Sequence, residues 1–261
     1  MIIILLFCLI QGFTEFLPIS SQGHLVIFNN FFKIVQYSNV PINQALILAH
    51  FGSLLAVIIY YKKTLKNLLF SIKLIDRPDI DKNSFILINL IISTIPILIV
   101  GYIISKIIDY DGEQILLIIA ITSIIFGIIL FLVDSFCLRI KNHNSLNYLM
   151  SLFIGIFQCA ALMPGVSRSG SVLTIMRFFG FQRKFAVQYS NLLSIPVIFA
   201  ATNLLILNSI QDDQTQLVIS IYSFMIFFLS FLFSIFFIFF LVSWVKRFSF
   251  LIFAIYRVLF G

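Results

Sequence analysis

The sequence predicts an all-α polytopic membrane protein with an inverted-topology repeat, each half a re-entrant helix-break-helix plus three transmembrane helices. Three observations predict it. The mean hydropathy is +1.11, with 61% hydrophobic and only 10% charged residues, a balance that excludes an ordinary water-soluble domain. Apolar runs such as 85–104 and 115–133 are long enough to cross a hydrocarbon core of about 30 Å at roughly 1.5 Å per helical residue. The basic residues, finally, gather at the ends of alternate runs, as the positive-inside rule requires.

Residues 1–10 are apolar but too short to span alone, and Pro18 and Gly23 interrupt the chain soon after them. Proline removes a backbone donor and breaks the helical ladder, so this part reads as a segment that enters and leaves on one side. It lacks a basic n-region and a small-residue cleavage site, so it is expected to stay in the mature protein rather than to be a removable leader. Residues 29–41 read as a polar loop, and 45–61 as a short span carrying His50, Gly52 and Ser53. Residues 62–82 set Lys62, Lys63, Lys66, Lys73, Arg77 and Lys82 against three aspartates, the strongest cytoplasmic marker in the chain. Residues 85–104 then run outward, 106–113 form an acidic turn, and 115–133 return to Arg139 and Lys141.

The second half repeats the plan. Residues 148–176 form another interrupted segment, broken at Pro164-Gly165 and at Gly170 and followed by Arg177, Arg183 and Lys184. Residues 185–207 run outward to Asp212 and Asp213, 217–242 return to Lys246 and Arg247, and 248–260 form a last short span. This layout puts thirteen of the 17 Lys and Arg inside, with Lys33, Lys106 and Arg257 outside and Arg168 in the second break. The net charge of +7 therefore reflects topology, and nucleic acid is not an expected partner. Cys8, Cys137 and Cys159 have no metal-ligand spacing and read as small hydrophobes. The chain is expected to be one integral-membrane domain, residues 1–261, with halves of about 1–133 and 134–261. Paired interrupted segments point to a site at the repeat interface.

The polar residues of the two breaks are the candidates for that site. Gln11 and Glu15, four apart, share a helix face, and Ser21 and His24, three apart, can share another. Alone, Glu15 reads as an ion-pair partner of Arg168, His24 as a core histidine, and Ser20 and Ser21 as helix caps. Their crowding into fifteen membrane residues favours a site instead. The stretch Gly165-Val166-Ser167-Arg168-Ser169-Gly170-Ser171 offers flexible backbone, hydroxyls and one guanidinium, the chemistry of phosphate binding. Small residues also serve helix packing in membranes, which rivals that reading for Ser169 and Ser171 but not for Arg168.

Taken together, Gln11-Gly12-Phe13-Thr14-Glu15-Phe16-Leu17-Pro18-Ile19-Ser20-Ser21-Gln22-Gly23-His24-Leu25 and Pro164-Gly165-Val166-Ser167-Arg168-Ser169-Gly170 resemble the undecaprenyl-diphosphate phosphatase family, the bacitracin-resistance membrane proteins. The resemblance extends to 51–57 and to 248–257, and so covers nearly the whole chain. It implies a phosphatase of the bacterial cytoplasmic membrane that removes the terminal phosphate of a C55 polyprenyl diphosphate, recycling the lipid carrier of cell-wall synthesis. The partners it implies are that lipid and the bilayer, with room for a homodimer, and the site is expected on the periplasmic side.

Carried over residue by residue, the family's acidic pair falls on Gln11 and Glu15, its serine pair on Ser20 and Ser21, and its histidine on His24. Its phosphate-binding motif falls on Pro164 to Ser169. On this reading Glu15, with Gln11 as a second oxygen donor, holds a divalent cation, Mg²⁺ or Ca²⁺. Arg168 clamps the phosphates together with Ser20, Gly165, Ser167, Ser169 and Gly170. Ser21 is the candidate nucleophile, direct attack by water being the alternative, and His24 the acid or base. Two positions depart from the family pattern: Gln11 replaces a carboxylate, and Val172 replaces a frequent threonine whose hydroxyl Ser171 or Thr174 could supply. The rival class is a transporter or flippase of a polyprenyl phosphate lipid, since inverted repeats with broken helices also build carriers.

Overall fold

A computed structural model of the chain describes residues 1–78, 80–107, 112–211 and 218–261. The helices, in chain order, are α1 (Ile2–Phe16), α2 (Ser21–Phe32), α3 (Val35–Ser38), α4 (Ile42–Tyr60), α5 (Lys62–Phe70) and α6 (Lys82–Ile107). The series continues with α7 (Gly112–Phe136), α8 (Tyr148–Gln158), α9 (Arg168–Phe178), α10 (Arg183–Gln211), α11 (Ile221–Trp244) and α12 (Leu251–Phe260). No strand occurs among the described residues. Asp109, Asp111, Asp212 and Asp213, expected in outer turns, lie outside them.

Among the described residues, five helices are long and apolar enough to cross a membrane: α4, α6, α7, α10 and α11. The chain is a multi-pass membrane protein. The last helix, α12, has ten residues, about 15 Å, which is half of a hydrocarbon core. It lies against α7.

Both interrupted segments are present and are built alike. α1 ends at Phe16 because Pro18 forces Leu17 into extended backbone, φ −76° and ψ 152°. A short 3₁₀ turn after α8 ends the same way, with Met163 extended (φ −78°, ψ 130°) before Pro164. The breaks are shorter than the sequence suggests. Gly23 and Gly170, read as interruptions, are each the third residue of a new helix, α2 and α9. The expected loop at 29–41 is also largely helical, since α2 runs on to Phe32 and α3 comes next.

α1 packs on α11 and α4, α8 on α6, and α9 against α7, α8 and α10. Lipid tails give helices no hydrophobic reason to associate, so the contacts rely on small residues and buried hydroxyls. Ser53 Oγ meets Ser234 Oγ at 2.9 Å between α4 and α11, and Ser93 Oγ donates to the Ser151 carbonyl at 2.8 Å between α6 and α8.

One end of the bundle is closed by a buried carboxylate. Asp134 accepts from Arg177 Nε at 2.8 Å, from Arg183 Nη2 at 2.8 Å and from the Phe250 amide at 3.1 Å. Four segments of the chain are tied at that point. Arg177, expected in an inner loop, and Arg257, expected on the outer side in the last short span, are both buried inside the protein. A guanidinium is tolerated there because carbonyls or a carboxylate surround it.

Candidate active site

The two breaks deliver two helix N-termini to one cavity of about 540 Å³. Ser20 caps α2 and Ser167 caps α9, and both sit at positive φ, 73° and 69°. Serine rarely adopts that region, so each is held there by its surroundings. Each cap hydroxyl accepts from the amide three residues on, Gly23 and Gly170 respectively. The amides of Ser21 and Gln22, and of Arg168 and Ser169, have no backbone partner among the described residues. Unpaired amides at the positive end of a helix dipole favour an anion.

The breaks are fastened to each other. Ser169 Oγ donates to the Leu17 carbonyl at 2.7 Å. Arg257 reaches the carbonyls two residues before each cap, Pro18 through Nη1 at 3.5 Å and Gly165 through Nη2 at 3.1 Å. Gly165 has φ +89°, and a Cβ there would run into Thr122 and the Ile119 backbone, so this position takes only glycine. Thr122 Oγ1 in turn donates to the Pro164 carbonyl at 2.6 Å.

Among the expected site residues, Glu15, Ser20, Ser21, Ser167 and Arg168 line the cavity. Ser21 opens α2, and among the described residues its hydroxyl has no protein partner. Arg168 donates from Nη1 to the Ser190 carbonyl at 3.1 Å and from Nη2 to the Glu15 carbonyl at 3.5 Å. Among the described residues, no ion pair joins it to the Glu15 carboxylate. Its charge is therefore not cancelled by a paired carboxylate.

Five expected residues stand behind the wall instead. Gly165, Ser169 and Gly170 belong to the frame that joins the breaks and are not part of the lining. Gln11 is fully buried and donates from Nε2 to Glu15 Oε2 at 3.2 Å and to Ser53 Oγ at 3.3 Å. Its nitrogen faces and orients the carboxylate, while its Oε1 is buried and has no hydrogen-bond partner among the described residues. His24 is also absent from the lining. Its Nδ1 is 2.7 Å from the Ser20 carbonyl and its Nε2 2.7 Å from Tyr256 Oη, and its ring stacks on Phe260 at 4.0 Å. Both ring nitrogens are thus engaged by protein atoms. Ser171 and Thr174 spend their hydroxyls on the Ser167 and Gly170 carbonyls, so neither stands in for the threonine missing at Val172.

The structure adds a residue that the motifs do not contain. His50, on α4, lines the cavity with Nε2 3.8 Å from Glu15 Oε2. The sequence holds no signal for this beyond a lone histidine in an apolar span, and only the fold of α4 against α1 brings the pair together.

The remaining wall is largely apolar, from Leu25, Val26, Ile42 and Leu46 to Ile97, Leu162, Val197, Ile198 and Leu205. A polar edge of Asn29, Asn30, Ser105 and Asn208 completes it. The cavity thus joins a polar end at two helix N-termini to an apolar wall, an arrangement that suits a lipid phosphate.

A divalent cation fits this arrangement in a restricted sense. Among the described residues no three His, Cys, Asp or Glu converge. A hard cation held by one carboxylate, water and substrate phosphate needs no such cage.

Residues 4–261 match the model of a family described as bacitracin resistance protein BacA. The undecaprenyl-diphosphatase of Pelagibacter ubique is 38% identical over 261 residues, covering 98% of this chain and 93% of its own. That of Leptospira interrogans is 34% identical, covering 97% and 92%. That of Caldicellulosiruptor bescii is 34% identical over 250 residues, covering 95% and 90%.

Proposed function

The chain belongs to the bacitracin resistance protein BacA family, and on that premise we propose how its cavity performs the family's chemistry. The protein is an integral-membrane undecaprenyl-diphosphatase. It cleaves the phosphoric anhydride of the polyprenyl diphosphate and releases undecaprenyl phosphate and inorganic phosphate. The observation that carries the site assignment is the convergence of two capped helix starts, Ser20–Ser21 and Ser167–Arg168, on one cavity with an apolar wall.

The diphosphate lies between the two helix starts, where the free amides and the Arg168 guanidinium meet its charge. The leading isoprene units lie along Leu25, Leu46, Val197 and Leu205, and the rest of the tail stays in the bilayer. Phosphoryl transfer asks the protein mainly for positioning and charge stabilisation. Ser21 Oγ attacks the terminal phosphorus as the bridging P–O bond breaks, and its proton passes to the departing lipid phosphate. Water then opens the phosphoserine, frees inorganic phosphate and restores the hydroxyl. The leaving group is already a stable phosphate anion, so the chemistry does not depend on a histidine such as His24.

Glu15 would hold the divalent cation, oriented by Gln11, and the cation would neutralise phosphate charge when bound. Lining residues on α6 and α10 come from their C-terminal halves, Ile97 and Ser105 on one and Val197 to Asn208 on the other. On the positive-inside layout those halves face outward, which supports a site opening to the outer side of the bacterial cytoplasmic membrane.

Release of inorganic phosphate from undecaprenyl diphosphate by purified protein in detergent, with no membrane gradient, tests this reading. Stoichiometric binding of the lipid without release would favour a carrier.

A further inference from the structure

The carboxylate of Glu15 has two polar neighbours, and one of them is unexplained. Gln11 donates an N–H to Oε2 at 3.2 Å, an ordinary hydrogen bond. His50 Nε2 stands 3.8 Å from the same oxygen, too far for a hydrogen bond. The tautomer of His50 is fixed from the other side of the ring. Nδ1 lies 2.8 Å from the Leu46 carbonyl, which can only accept, so Nδ1 carries the hydrogen. In the neutral ring Nε2 is then a lone pair facing a carboxylate. Two acceptors facing each other at a cavity wall call for something positive between them, either a proton or a cation.

The spacing suits a cation. A metal about 2.0–2.3 Å from each atom would bridge 3.8 Å at an angle of about 110–145°. A histidine whose second nitrogen donates to a backbone carbonyl is also the arrangement that holds metal-ligating imidazoles in place. Both groups are on the cavity wall, beside the place assigned to the diphosphate.

We infer that His50 is the second protein ligand of the divalent-cation site at Glu15, in place of Gln11, and that a first-row transition ion gains more from the added imidazole than Ca²⁺ does. Imidazole is a softer donor than carboxylate or amide oxygen, which shifts preference away from the hard alkaline-earth ions. Gln11 keeps a different task, fixing the Glu15 carboxylate through its Nε2 hydrogen bond. The inference rests on the reading that this cavity uses a divalent cation for its hydrolysis.

Mn²⁺ is the probe. The full-length protein in detergent, loaded with less than one equivalent of Mn²⁺, is examined by pulsed EPR for coupling to a directly bound ¹⁴N. The expected result is a histidine ¹⁴N signal in the wild type, converted to the ¹⁵N pattern by selective ¹⁵N-histidine labelling. The signal is lost in His50→Asn, where Mn²⁺ affinity drops by about tenfold or more while Ca²⁺ affinity changes far less. The labelling arm needs no substitution, so it stands even if the variant fails to fold. Bound Mn²⁺ without histidine nitrogen, or no Mn²⁺ bound at all, overturns the inference and leaves Glu15 and a protonated His50 as a plain ion pair. Phosphate release is measured on the same preparation. Turnover without a nitrogen signal sinks the ligand assignment alone, whereas a nitrogen signal without turnover sinks the hydrolytic reading.

Discussion

Ser20 and Ser167 are one structural position occurring twice. Each caps a helix from the left-handed region, with φ/ψ of 73°/95° and 69°/117°, and each binds the amide of a glycine three residues on. The second break is one residue longer between its proline and its cap, and Gly165 at φ +89° lies in that longer connection. The cavity lies where these two starts meet.

Ser21 and His24 should behave as independent residues. Ser21→Ala removes the attacking hydroxyl and is expected to lower the rate on the order of a thousandfold or more. His24→Asn disturbs the packing of α12 on α2 and should cost no more than about tenfold. The double variant should then lose the sum of the two free energies. Initial rates of phosphate release for the four proteins decide it. A His24→Asn variant that alone loses a hundredfold or more, with a double variant no worse than Ser21→Ala, would mean that the pair acts as one unit.

Arg257 should prove to be a positioning residue. Its guanidinium spans the Pro18, Thr122 and Gly165 carbonyls, and a lysine ammonium cannot reach all three. Arg257→Lys is expected to lower thermal stability in detergent by on the order of 2–3 kcal/mol. It should also reduce kcat more than it raises KM, because the two helix starts drift apart. A lysine variant with wild-type stability and kcat would show that Arg257 does not position the breaks.

Asp134→Asn should be among the most damaging substitutions outside the cavity. It leaves Arg177 and Arg183 without the carboxylate they share, and breaking a buried ion pair costs about 3–5 kcal/mol. Chemical unfolding in detergent measures this, and a loss below about 1 kcal/mol would show that the cluster contributes little.

Much of this architecture was legible in the sequence, for identifiable reasons. The spans are long apolar runs, and Pro18 and Pro164 mark the breaks because proline dictates the conformation of the residue before it. Glu15, Ser20, Ser21, Ser167 and Arg168 reach the cavity because each lies within a few residues of a break. Gly23 and Gly170 misled, since glycine reads as a breaker although here it is the third residue of a helix. Ser21 and His24 are three apart in the first turn of α2, but only Ser21 lines the cavity. Within the first turn the imidazole folds back to the Ser20 carbonyl and meets Tyr256, far away in the chain. His50 could not be read at all, because its partner is on another helix and a single histidine in an apolar run carries no pattern. Arg257 read only as an outer-side residue of the last short span, because its environment, the carbonyls of two separate breaks, exists only after folding.

The most direct test of the central claim, that two helix starts and Arg168 cradle the diphosphate, is the initial rate of phosphate release from undecaprenyl diphosphate by Arg168→Ala and Arg168→Lys in detergent. Near-complete loss is predicted in the alanine variant, with little recovery in the lysine variant. A planar guanidinium can bind two phosphate oxygens side by side while resting on the Ser190 carbonyl, and an ammonium cannot. A lysine variant within a few-fold of wild type would contradict the claim.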